Sequence, residues 1–114
     1  MSSNKQENIR RAVELIGVAA KNNAKVISLP ECFNSPYGVK YFPQYCESIP
    51  NGETVSALAK AAKEHQVYVI GGSIPEKDGD KLYNTCTIFD PLGNLIAKHR
   101  KVRQIILFVY YSSI

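Results

Sequence analysis

The apolar positions of this chain fall into blocks with two different periods. Over residues 5–22, Ile9, Ala12, Val13, Ile16 and Ala20 recur at spacings of three and four, which gathers them on one face of a helix. Asn22 and Asn23 close it. The block KVISLP at 25–30 is a short β-branched run stopped by Pro30. It is apolar at nearly every position, so a strand buried on both faces is expected. Residues 32–53 hold Pro36, Gly38, Pro43, Pro50 and Gly52 and predict loop, with a short helix around 41–47. A second amphipathic helix is predicted over 54–65, with Val55, Leu58, Ala59 and Ala62 on its apolar face. VYVIGG at 67–72 predicts a second buried strand, and PEKDGDK at 75–81 a polar turn. LYNTCTIFD and NLIAKHRK predict two further strands joined through Asp90-Pro91-Leu92-Gly93. In that turn Pro presets one backbone angle and Gly tolerates a positive one.

Strands alternating with helices argue for a layered α/β fold. The ends stand apart from it. The chain opens directly on a helix, and after Arg103 it closes on an uncharged run of β-formers, IILFVYYSSI. That run makes a good buried strand and an aggregation hazard if exposed.

Composition changes this picture little. A chain of 114 residues, 45% apolar and 21% charged, is one globular domain. Its +4 charge comes largely from KHRK at 98–101 with Arg103. That run lacks interleaved stacking aromatics and a reading helix, so a basic strand end is expected and no nucleic-acid surface. The start, MSSNKQENIRR, has no secretory apolar core. No apolar run reaches the roughly 18 residues that would span a bilayer. The three cysteines form no CxxC pair and lie at no metal-ligand spacing with His. Free thiols, a cytoplasmic location and no metal are expected.

Two charged residues stand where strands end. Glu31 follows Pro30 directly, at the kind of strand exit where side chains converge in α/β folds, and partial desolvation there would make a carboxylate a better base. A solvated loop charge is the alternative. Lys101 closes the last predicted strand, where it either donates to a developing oxyanion or guards a sheet edge. Cys32 adjoins Glu31, but neighbours on an extended chain point to opposite sides; a buried filler is expected there, and packing roles for Cys86 as well. Cys46 has no evident base. His65 suits a helix C-terminus, and His99 lies in the basic strand. GGS at 71–73 is not followed by a helix, so a phosphate loop is poorly supported. Asn84, in YNT, needs partners if buried, and its role stays open.

The segments KVISLPECFNSPYGVKYF, VYVIGGSIPE and KLYNTCTIFDPLGNLIAKHRKV resemble the nitrilase superfamily of carbon–nitrogen hydrolases, and within it the omega-amidase branch. The resemblance implies a four-layer α-β-β-α sandwich and a Glu–Lys–Cys triad working without metal or organic cofactor. Glu31 then takes the role of general base and Lys101 that of oxyanion stabiliser. Implied substrates are small dicarboxylate monoamides, alpha-ketoglutaramate and alpha-ketosuccinamate, and implied assembly is a homodimer or larger. The family's nucleophile lies in Gly-(Ile or Val)-x-Cys-(Tyr or Trp)-(Asp or Glu) beyond the Lys, and none of Cys32, Cys46 and Cys86 stands in that context. The likeness runs from about Ala12 to Val102. A partial domain over 1–102, the N-terminal half of the sandwich, is therefore expected, with a divergent apolar tail over 103–114. Such a chain is expected to be inactive alone; the alternative is a non-catalytic fragment that binds full-length subunits through an uncovered sheet face.

Overall fold

The structure, a computed structural model, describes residues 4–35 and 41–101. The expected tail strand over 103–114 lies outside these residues, as do Pro36 and Gly38 of the predicted loop. In chain order the elements are α1 (Lys5–Lys21), β1 (Val26–Ser28), α2 (Phe42–Tyr45), α3 (Glu53–His65), β2 (Tyr68–Ile70), β3 (Ile74–Asp78), β4 (Lys81–Phe89) and β5 (Leu95–Arg100).

Both long helices have definite stops. The Asn4 side chain caps α1 by accepting from the Glu7 N–H at 3.0 Å. At the other end Asn23 takes a left-handed backbone (φ 70°), which Asn tolerates better than most residues. Gly52 precedes α3 and has no side chain to cap it. Glu47 substitutes: its Oε1 accepts from the Thr54 N–H and its Oε2 from the Thr54 hydroxyl, both at 2.7 Å. Lys5 of α1 pairs with the same carboxylate at 2.6 Å. One anion thus satisfies the positive end of α3 and ties it to α1. Gly52 makes room for this, since a Cβ there would fall 2.4 Å from Glu47 Oε1.

The five strands form one sheet around β4. On one side β4 pairs antiparallel with β2 (Val69 to Phe89, Ile70 to Ile88) and then with β3 (Ile74 to Thr85 through Asp78 to Lys81). On its other side lies β5, antiparallel, from Thr85–Arg100 to Phe89–Leu95, with a register irregularity between Ile88 and Phe89. β1 pairs parallel with β2 at the far edge. Residues directly opposite share a face, so Ile27, Val69, Ile74, Thr85, Thr87 and Phe89 all point one way. There they meet α1 and α3 in a core with Ala12, Ile16, Leu58 and Ala62. The Asp90–Asn94 turn is closed by Asp90, whose Oδ1 accepts from the Leu92 and Asn94 N–H groups. Gly93, at φ +84°, packs against Ala59 of α3. Among the described residues no helix is long and apolar enough to cross a membrane.

Three expectations need correcting. β1 is not buried on both faces: Val26 is 58% exposed, and Ser28 is exposed as well. In β2 only Val69 is fully buried, and Tyr68 is exposed. Val26, Tyr68, Leu82 and Ala97 lie on the sheet face turned away from the helices, so their apolarity marks an open face rather than a two-sided core. The third concerns 75–81. It is no turn throughout, because Ile74–Asp78 is a strand and only the Gly79–Asp80 link turns.

That strand is held by charge. Glu76 is buried on the helix side, where its carboxylate accepts from the Thr85 hydroxyl (2.7 Å), Lys98 Nζ (2.9 Å), and Arg100 Nε and Nη2 (2.8 and 3.0 Å). Arg100 reaches on to Asp78 at 2.8 Å and stacks its guanidinium 4.2 Å from the Tyr83 ring centre. A hydrophobic alternation cannot signal a strand whose inward residue is a neutralised acid. Burial alone would raise the Glu76 pKa; the hydrogen bonds from Arg100, Lys98 and Thr85 more than reverse this and hold it at about 2. The folded pKa is depressed, so its stabilisation is present above the usual carboxylate value of about 4.5 and is lost as pH falls toward 2. Glu76→Gln should lower stability by on the order of 3 kcal/mol near neutral pH. It should also flatten the stability loss between pH 4.5 and 2, read by urea denaturation across that range.

Candidate active site

The open face of the sheet ends in a charged pair. Residue 101 follows β5, and its N–H donates to the Asn84 carbonyl at 2.9 Å, which continues the β4–β5 register by one step. Lys101 thus stands opposite Asn84, on the face away from the helices. Its Nζ donates to Glu31 Oε1 at 3.1 Å. The side chains are 27% and 40% exposed. The two sequence-predicted site residues are therefore brought together. Glu31 is more open to solvent than a strand exit after Pro30 suggested.

The turn that carries Glu31 is shaped by its neighbours. Pro30 ends the extended run, and Cys32 adopts a left-handed backbone (φ 50°), so residues 31–34 turn sharply, with the Ser35 N–H returning to the Cys32 carbonyl at 3.3 Å. The chain is therefore not extended here, so Glu31 and Cys32 need not point to opposite sides. Glu31 points to the sheet end, and the fully buried Cys32 tucks in below. The GGS stretch explains the fit. Gly72 has φ +62°, and a Cβ on it would sit 2.1 Å from the Pro30 carbonyl oxygen. Glycine here lets the two backbones touch and delivers Ser73, whose Oγ accepts from the Cys32 N–H at 3.1 Å.

Asn84, left open by the sequence, belongs to the site. It is fully buried, and its Nδ2 donates to Glu31 Oε1 at 2.9 Å, the same oxygen that meets Lys101. A buried Asn two residues before a Cys in a strand carries no signal of its own; only the Glu31 turn lying over it reveals the partner. The remaining candidates stay outside. Cys46 contacts the Pro43 carbonyl. Cys86 lies across from His99 on the open face, and burial raises its pKa against the opposing pull of Lys101. His65 packs on Gly17 of α1. A groove of about 440 Å³ runs between α1 and the Leu29–Phe33 stretch, but neither Glu31 nor Lys101 lines it. No cluster of metal-ligating side chains occurs among the described residues.

A carboxylate and an ammonium sharing one edge, half open to solvent, can take up a proton and stabilise a developing negative charge. The family model for carbon-nitrogen hydrolases matches residues 1–112. The chain belongs to the carbon-nitrogen hydrolase family. Curated relatives include the omega-amidase NIT2 of Bos taurus, 60% identical over 102 residues, and that of Homo sapiens, 58% identical over 102 residues. Each match covers 90% of this chain and 37% of the relative, so the chain spans a little over a third of their length. Among solved structures, Saccharomyces cerevisiae Nit3, a member of branch 10 of the nitrilase superfamily, superposes with a TM-score of 0.81 at 41% identity, over 88% of this chain and 40% of that one. An amidase from Nesterenkonia sp. AN1 in complex with acrylamide superposes at 0.76, over 89% of this chain and 38% of that one; at 18% identity it shares the fold. The layered α/β expectation holds: this carbon-nitrogen hydrolase chain has a mixed sheet with α1 and α3 on one face.

Cys32 sits beside the pair but is not poised to attack. Burial pushes its thiol up to about 11; the Ser73 hydrogen bond and Lys101 pull it down, and Glu31 adds to the rise. A thiol that is both buried and protonated reacts slowly. Iodoacetamide at pH 7.5 should label Cys46 at least about 100-fold faster than Cys32 in the native chain, followed by peptide mass spectrometry. Equal rates would contradict the buried placement.

Proposed function

We propose that this chain carries the base and the cation of an omega-amidase-type hydrolase acting on small dicarboxylate monoamides, alpha-ketoglutaramate and alpha-ketosuccinamate. The observation that carries the reading is the 3.1 Å approach of Lys101 Nζ to Glu31 Oε1 at the open end of the sheet. Glu31 accepts the proton of a cysteine thiol, and the sulfur attacks the amide carbon. Lys101 stabilises the oxyanion of the tetrahedral intermediate. Glu31 returns the proton to the departing nitrogen, which leaves as ammonia. It then deprotonates the water that cleaves the thioester, giving the carboxylate and the free thiol.

The sulfur of this scheme is none of Cys32, Cys46 and Cys86. Cys32 is buried beneath the pair, Cys46 is turned to Pro43, and Cys86 faces His99 from a neighbouring strand. By this reading residues 1–114 do not hydrolyse amides unaided. A cytoplasmic location and a homodimer go with the reading, and the free cysteines agree with a reducing compartment. A second reading, a non-catalytic piece that binds full-length subunits, draws on one observation: Val26, Tyr68 and Leu82 are exposed on the sheet face away from the helices.

The test uses a chimera in which residues 1–101 replace the matching segment of the human relative. It should release ammonia from alpha-ketoglutaramate while the 114-residue chain does not. Glu31→Gln should cost about 10²–10⁴-fold in kcat, and Lys101→Ala about 10²–10³-fold. Turnover that survives both substitutions would remove the catalytic reading. Co-purification of the inactive chain with a full-length relative would favour the second.

A further inference from the structure

Glu31 is held by more than Lys101. Asn84 Nδ2 meets the same carboxylate oxygen at 2.9 Å. A side-chain amide can present either its nitrogen or its oxygen to a neighbour, and the group at its other end decides which. Here Asn84 Oδ1 lies 3.7 Å from Cys32 Sγ, within reach of an S–H donor. Sγ in turn lies 3.9 Å from the Ser73 hydroxyl, which also accepts from the Cys32 N–H. Cys32, Ser73 and Asn84 are all fully buried, so solvent does not compete. The donors run in one direction: Ser73 O–H to Cys32 Sγ, Cys32 S–H to Asn84 Oδ1, Asn84 N–H to Glu31 Oε1.

We infer that Asn84 is a positioning residue for Glu31, and that the Cys32 thiol sets the orientation of its amide by donating to Oδ1. This rests on the reading of Glu31 as the base. With the amide reversed, Oδ1 would face a carboxylate oxygen, and two acceptors would repel. The arrangement fixes the carboxylate without adding charge. Glu76, by contrast, is pinned by two cations and a hydroxyl and is left no freedom to exchange a proton near neutral pH. The arrangement also gives a buried, unreactive cysteine beside the site a purpose. Its proton is the useful part, and burial keeps that proton in place.

The Asn84 side-chain amide resonances report on this directly, without turnover. In the ¹⁵N-labelled chain they should follow a single pH titration that vanishes in Glu31→Gln. Cys32→Ala should abolish or distort that titration. Cys32→Ser, which restores an O–H donor on the same left-handed backbone, should recover it. In the chimera, Asn84→Ala should lower kcat about ten- to a hundred-fold with KM nearly unchanged. Cys32→Ala should lower it several-fold, and Cys32→Ser should restore most of the loss. Resonances that titrate alike with and without Glu31 overturn the role of Asn84. Resonances unchanged in Cys32→Ala overturn the role of the thiol. If Cys32 variants do not fold, the S–H stretching band decides, read in the Cys46→Ser/Cys86→Ser chain. A band shifted down in wavenumber that moves up in Asn84→Ala supports the contact, and a band already at the free-thiol position refutes it. A chimera without turnover whose resonances still titrate would fault the function and leave the geometry standing.

Discussion

The register of one antiparallel pair decides everything at the charged end of this sheet. β4 and β5 are matched so that residue 101 falls opposite residue 84, with the Lys101 N–H on the Asn84 carbonyl. Side chains alternate across a strand, so this match sends Lys101 and Asn84 to one face and Arg100 and Thr85 to the other. A slip of one residue would exchange the two sets. Lys101 would then enter the helix side, and Glu31 would lose the ammonium that gives its position meaning. The Asp90–Asn94 turn sets the Phe89–Leu95 pairing from the other end, with Gly93 seating it against α3. The irregularity between Ile88 and Phe89 then shifts the register by one residue, without which Arg100 would stand opposite Asn84. The pairing at the sheet's end therefore depends on a hairpin turn and a bulge several residues away.

The same alternation divides the basic run KHRK. Lys98 and Arg100 turn inward and are both consumed by Glu76, while Lys101 turns outward to Glu31. What looks in the sequence like one cationic patch is two separate neutralisations on two faces. Three of the run's cations have carboxylate partners within 3.1 Å.

Much of this was legible beforehand, and the limits have physical causes. Helical periodicity located α1 and α3, and the turn chemistry of Asp90 to Gly93 located the β4–β5 hairpin. Glu31 and Lys101 were picked out by standing at strand ends, and they do meet. The burial of β1 and β2 was misjudged because apolarity records what a surface avoids, not whether something covers it: Val26 and Tyr68 are apolar and exposed. β3 was missed because its inward residue is Glu76, an acid made tolerable only by partners 9 to 24 positions away. Asn84 was undecidable for the same reason, since the carboxylate it serves lies 53 residues earlier.

Two glutamates, one in β3 and one in the turn beside the end of the sheet, stand in contrasting environments. Glu76 lies in the interior with two cations and a hydroxyl on it, and its proton is gone at any physiological pH. A base must be able to give back what it takes, and a carboxylate held this far down is a poor acceptor. Glu31 meets an ammonium and a neutral amide, and its side chain is 40% open to solvent. The neutral amide helps to hold this carboxylate without adding charge. The cost of such an arrangement is that an uncharged group must be oriented by something else. A buried polar network is worth having only if every member is satisfied, and Ser73, Cys32 and Asn84 meet that demand in sequence, each using the donor its neighbour lacks. The tight passage of Gly72 against Pro30, which a single methyl group would block, brings Ser73 within reach. Gly72 is thus linked to the same carboxylate through Ser73, Cys32 and Asn84.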